Sequence, residues 1–130
     1  VAKEYQDETK DKQALCDRVR ELIASRAYSE CERVLIVAMG MYPHAPEPHN
    51  LLGILLEKQG HHVLAMKHFR AAWALDPTYR PVRQNLDQYA SFTEHGPAAF
   101  DESDCREAPS TVHMEIVYDP NGIGHVMPLR

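Results

Sequence analysis

The chain has 130 residues, enough for one domain with an appendage and too few for two independent cores. Hydrophobic residues make up 44% and charged residues 25%, a balance that can bury a core and is wrong for a disordered chain. A net charge of −5 withholds the basic footprint that nucleic acid demands, and the longest apolar stretch, residues 34–39, is far short of the roughly 20 residues of a membrane span, so neither partner is expected.

In chain order, residues 1–11 (VAKEYQDETKD) are polar and unpatterned, which predicts a frayed lead-in. From Lys12 to Thr93 apolar residues recur at three- and four-residue intervals, the period of amphipathic helices. This spacing predicts helices over 12–25, 29–41, 46–59 and 63–75, and a last one over 79–93 with Val82, Leu86, Tyr89 and Phe92 as its apolar set. Glu94-His95-Gly96-Pro97 stops the run, because Gly suits a left-handed cap and Pro cannot continue a helix. Asp101-Glu102-Ser103-Asp104 lacks the central Gly and terminal Glu of a calcium loop and reads as a solvated linker. Val112, Met114, Ile116 and Tyr118 then alternate with His113 and Glu115, as in a half-buried strand. Asp119-Pro120-Asn121-Gly122 is turn chemistry, and residues 123–129 can return as a second strand. A lone hairpin is marginal in water, so it is expected to lean on the helices or on a partner chain. The resulting division is 1–11 lead-in, 12–93 helical domain and 94–130 tail.

The helical region matches itself at an offset of 34 residues: Leu22 falls on Leu56, Cys31 on Ala65, Leu35 on Phe69, Ala38 on Ala72, Met41 on Leu75 and Pro43 on Pro77. Small residues at 31 and 65 permit close helix approach, and Leu35 and Phe69 fill the space beside them. Two helices with short turns fill such a unit, and each pair leaves an apolar stripe that only a neighbour covers.

On these residues the chain resembles the tetratricopeptide-repeat family. His49, Leu52, Gly53, Leu56, Ala65, Phe69, Ala72 and Pro77 hold the family's signature positions in the second unit, with His49 alone off-pattern. In the first unit the same positions carry Leu15, Arg18, Val19, Leu22, Cys31, Leu35, Ala38 and Pro43, with Arg18 and Val19 off-pattern. The resemblance implies an all-α fold: a short solenoid of two helical-hairpin units plus a capping helix, followed here by the extended or β-hairpin tail.

The resemblance also implies a concave groove lined by the first helices of the units and by the cap. Gln13, Cys16, Asp17, Arg20, Ile23 and Ala24 would line it from the first unit, Glu47, Asn50, Leu51, Ile54, Glu57 and Lys58 from the second, and Gln84, Asn85 and Gln88 from the cap. The candidate binding set is Asp17, Arg20, Asn50, Ile54, Lys58, Asn85 and Gln88. Asn50 and Asn85 suit a peptide backbone, since a side-chain amide both donates and accepts; Arg20 and Lys58 suit a carboxylate. Family members that clamp chaperone tails carry Lys and Asn where Cys16, Arg20 and Leu51 stand here, so that ligand is not expected. Two and a half units leave open ends, for which the 97–130 tail or a second copy is the expected cover.

Three cysteines with no CxxC spacing argue against a disulfide scaffold and for a reducing, cytoplasmic setting. Cys31 reads as core, Cys16 as facing the groove, and Met39, Met41 and Trp73 as packing residues. Eight histidines fit no zinc motif, and no glycine-rich phosphate loop is present, so neither catalysis, a cofactor nor a metal is expected. The expected function is a protein- or peptide-binding adaptor. The alternatives are a self-associating protein whose tail packs on a neighbouring copy and a metal-responsive regulator using Asp101, Asp104, Cys105, His113 and His125.

Overall fold

A computed structural model of the chain describes residues 2–90, 96–105, 114–118 and 124–128, with side chains over 7–90 and 96–105. Residues 2–90 are helices joined by short turns: α1 Ala2–Ala24, α2 Tyr28–Met41, α3 Pro46–Lys58, α4 His62–Leu75 and α5 Arg80–Tyr89. α1 packs on α2 and α3, α3 on α4 and α5, and α4 on α5.

Two boundaries differ from the sequence expectation. α1 begins at Ala2, so the polar residues before Lys12 are helical rather than a frayed lead-in. They lack apolar spacing, yet they contain no Gly or Pro and are rich in the helix formers Lys, Glu and Gln, and Glu8 pairs with Lys12 one turn on at 3.6 Å. α5 ends at Tyr89; Phe92, Thr93, Glu94 and His95 lie outside the described residues.

The turns recur with the sequence offset. After α1, Arg26 adopts φ +60° and the Ala27 amide donates to Leu22 O at 2.8 Å. After α3, 34 residues later, Gly60 adopts φ +83° and the His61 amide donates to Leu56 O at 2.8 Å. Both close a helix through a left-handed residue, the arrangement that favours glycine. Pro46 opens α3, and Pro81 lies in the first turn of α5, where a missing N–H costs nothing.

The core runs through the matched positions. Cys31, Leu35 and Ala38 of α2 are buried, as are Ala65, Phe69 and Ala72 of α4. Phe69 occupies the space a side chain at Gly53 would need: a Cβ there would lie 2.5 Å from its ring. The same ring stacks on Tyr89 at 5.8 Å between centroids, tying α4 to α5. Met41 and Trp73 depart from the expected packing role. They stand 63% and 37% exposed, on outward faces that also carry Ile36, Val37, Val63, Leu64 and Leu75.

Beyond α5, residues 96–101 run without regular structure into a single 3-10 turn, Glu102–Asp104. Two strands, β1 Met114–Tyr118 and β2 Gly124–Pro128, pair antiparallel with Ile116 opposite Val126. The turn residues 119–123 and the flanking Val112, His113 and Leu129 lie outside the described residues.

Candidate functional site

α1, α3 and α5 contribute side chains to one face, each at helical spacing. Gln13, Cys16 and Arg20 fall on one side of α1, Glu47 and Asn50 on α3, and Gln84, Asn85 and Gln88 on α5. Residues 97–105 of the same chain lie along this face.

Its centre is the main chain of Ala99. Asn85 Nδ2 donates to Ala99 O at 2.8 Å, and Asn85 Oδ1 accepts the Ala99 amide at 2.8 Å. Asn50 Nδ2 donates to the same carbonyl at 3.0 Å, and Asn50 Oδ1 accepts a second bond from Asn85 Nδ2 at 2.8 Å. Both asparagines and Ala99 are fully buried. A buried amide without partners costs about 1–3 kcal/mol, and the main chain of Ala99 supplies partners to both side chains. On either side, Gln88 donates to Pro97 O at 3.0 Å and Gln84 to Asp104 O at 3.2 Å.

The second cluster is ionic. Arg20 meets Asp104 in a fork, Nη1 to Oδ1 and Nη2 to Oδ2, both at 2.8 Å. Its Nη2 also donates to Asp101 Oδ2 at 3.0 Å, where Gln13 Nε2 adds a bond at 2.9 Å. The guanidinium carbon lies 4.9 Å from the centre of the Phe100 ring, within cation–π range. Asp104 Oδ2 accepts the amides of Phe100 and Asp101 at 3.0 and 3.3 Å, and Asp101 Oδ1 accepts the Ser103 amide at 2.9 Å. The two aspartates thus cap their own turn while presenting oxygens to Arg20.

Burial works to raise both carboxyls, but it is outweighed. Hydrogen bonds from Ser103 and Gln13 and the charge of Arg20 hold Asp101 below the usual carboxylate range. The Arg20 side chain and the amides of Phe100 and Asp101 do the same for Asp104. Beside them, burial and then the charges of Asp101, Glu47 and Asp17 push the Cys16 thiol up to about 12, so it is not a thiolate nucleophile near neutral pH. Burial also raises Glu47, opposed by Lys12 at 3.7 Å.

Of the residues expected to bind, Arg20, Asn50, Asn85 and Gln88 are brought together against one segment. Ile54 and Leu51 are fully buried and Cys16 nearly so, in the same core cluster as Ala98 of the segment. Lys58 is exposed in the last turn of α3, and exposed Asp17 accepts from Gln13 at 3.2 Å. The solvated-linker reading of 101–104 is corrected. Asp101 is buried, held by Arg20, and part of a folded turn. Asp followed three residues later by Asp is a capping spacing, and that signal was available in the sequence. Among the described residues no group of three His, Cys, Asp or Glu side chains converges to hold a metal, and the side chains of His113 and His125 lie outside them. Among the described residues, too, no helix is long and apolar enough to cross a membrane. No protein-family model, curated protein or solved structure matches the chain.

Proposed function

We propose that this chain is a non-catalytic, cytoplasmic protein-interaction module of the tetratricopeptide kind, in which α1/α2 and α3/α4 are repeated units, α5 caps them, and the face of α1, α3 and α5 holds an extended peptide. The repeat reading is supported by the left-handed residues and turn bonds that recur 34 residues apart, and by the matched burial of Cys31, Leu35 and Ala38 with Ala65, Phe69 and Ala72. One observation carries the binding role: two fully buried asparagines clasp both the amide and the carbonyl of a non-helical residue, Ala99. Main-chain recognition of this kind accepts a segment by its extension, whichever chain it belongs to.

Capture from the native cell extract tests the role. Proteins retained by the wild-type chain are expected to be lost from Asn50→Ala and Asn85→Ala while circular dichroism stays helical. Retention that ignores both changes would refute it.

A second reading, self-association, is favoured by the exposed apolar stripe of α2, where Ile36, Val37 and Met41 are each more than half exposed. In that reading the tail packs on a neighbouring copy. Sedimentation over a range of concentrations separates the two, since an adaptor remains monomeric.

A further inference from the structure

The geometry points to a definite ligand class for the α1/α3/α5 face: an acidic, extended peptide of a partner protein with the pattern small-small-aromatic-Asp-x-x-Asp, which displaces the chain's own residues 98–104. This rests on the proposed peptide-holding role and adds what the peptide must carry.

The chain's own segment exposes the requirements one by one. Ala98 and Ala99 are buried, so their side chains fill the space between the segment and the helices, and the pattern begins with two small residues. The Ala99 main chain is gripped from both sides and contributes no side-chain information beyond size. Phe100 packs against the core under the Arg20 guanidinium, which selects a flat ring. Arg20 has its two terminal nitrogens committed to carboxylates on Asp101 and Asp104. A guanidinium fork matches a carboxylate in shape as well as charge, so these positions read acid specifically.

The contacts are also of the exchangeable kind. Apart from the buried alanines and the packed Phe100 ring, the segment is held by side-chain-to-backbone bonds and by an ion cluster whose arginine is 37% exposed. The linker back to α5 is short, so the tethered segment acts as a competitor at an effective concentration on the order of millimolar. A free peptide therefore binds the wild-type chain weakly and a chain with a loosened segment well.

The test uses the full chain carrying Asp101→Asn and Asp104→Asn, titrated by fluorescence anisotropy with the labelled peptide GPAAFDESDC, the sequence of residues 96–105. The expected order is firm binding of this peptide, about tenfold weaker binding of its double Asp→Asn form, and about threefold weaker binding of its Phe→Ala form. The wild-type chain binds the native peptide more weakly than the loosened chain does. Equal binding of the acidic and neutral peptides overturns the acidic motif and leaves the peptide-holding role standing. Absence of binding by every peptide overturns the peptide-holding role itself. Should the aspartate variant lose its helical circular dichroism, Ala99→Pro serves instead, since it removes the amide that Asn85 accepts and keeps Arg20 intact. A loosened chain that dimerises in sedimentation, with the added peptide dissolving the dimer, makes a second copy the occupant and overturns the assignment to a partner protein.

Discussion

Arg26 and Gly60 occupy equivalent turns with very different steric freedom. At φ +60° a side chain meets the following carbonyl, which costs roughly 1 kcal/mol; at φ +83° glycine has no Cβ to make that clash. Arg26→Gly is therefore expected to stabilise the chain by about 0.5–1 kcal/mol. The urea midpoint should rise with the slope unchanged; a lower midpoint would show that the exposed arginine makes a compensating contact. The opposite change is costly at Gly53. The atom added by Gly53→Ala would lie 2.5–2.8 Å from three atoms of the Phe69 ring. That ring is fully buried and stacked on Tyr89, so it has no free space to yield. A loss of about 1–3 kcal/mol is expected from overpacking, read as a lower thermal midpoint.

At the scale of elements, the legible part was the part governed by period. Spacings of three and four residues placed α2, α3 and α4 within about a residue of their ends, because each buries a stripe against a neighbour. The early turns of α1 carry no stripe and were invisible to that criterion. Residues 97–105 were illegible for another reason. Five of their bonds join side chains of α3 and α5 to main-chain atoms, and the main chain has no sequence signature. Arg20, Asn50 and Asn85 were recognisable as binding chemistry, but the segment they bind was not.

His49 and His68 face each other with Nδ1 atoms 3.1 Å apart, so one neutral ring donates to the other. Burial holds both below the ordinary histidine value, and His49 further disfavours a charge on His68. The unfolded chain takes up protons near pH 6.5 that the folded pair refuses, so stability is full above that pH and declines as pH falls below it. Replacing both with glutamine is expected to flatten the urea midpoint between pH 7.5 and 5. The aspartates around Arg20 act in a separate window. Their folded values are depressed, so their contribution is intact above about pH 4 and is lost only as pH falls further.

For the whole molecule, the question is whether residues 97–105 are part of the cooperative fold or a segment laid upon it. The two clusters give different answers. The Arg20 site is more than a third open to water, and the carboxylates left behind when Arg20 is removed keep other donors: Gln13 and the Ser103 amide for Asp101, the Phe100 and Asp101 amides for Asp104. Asn50 and Asn85 are fully buried and lose their partners to nothing. Arg20→Gln is therefore expected to free the segment locally: the Ala99 amide exchanges with deuterium about tenfold faster, while the unfolding free energy read from urea denaturation falls by less than about 0.5 kcal/mol. Asn85→Ala removes both bonds to Ala99 and strands the Asn50 oxygen, so it should lower global stability by about 1–3 kcal/mol. If Arg20→Gln also lowered the unfolding free energy by that amount, the segment would be as much a part of the core as α5. It would then be a permanent cover of the face, and exchange with a partner's peptide would require the helices themselves to open.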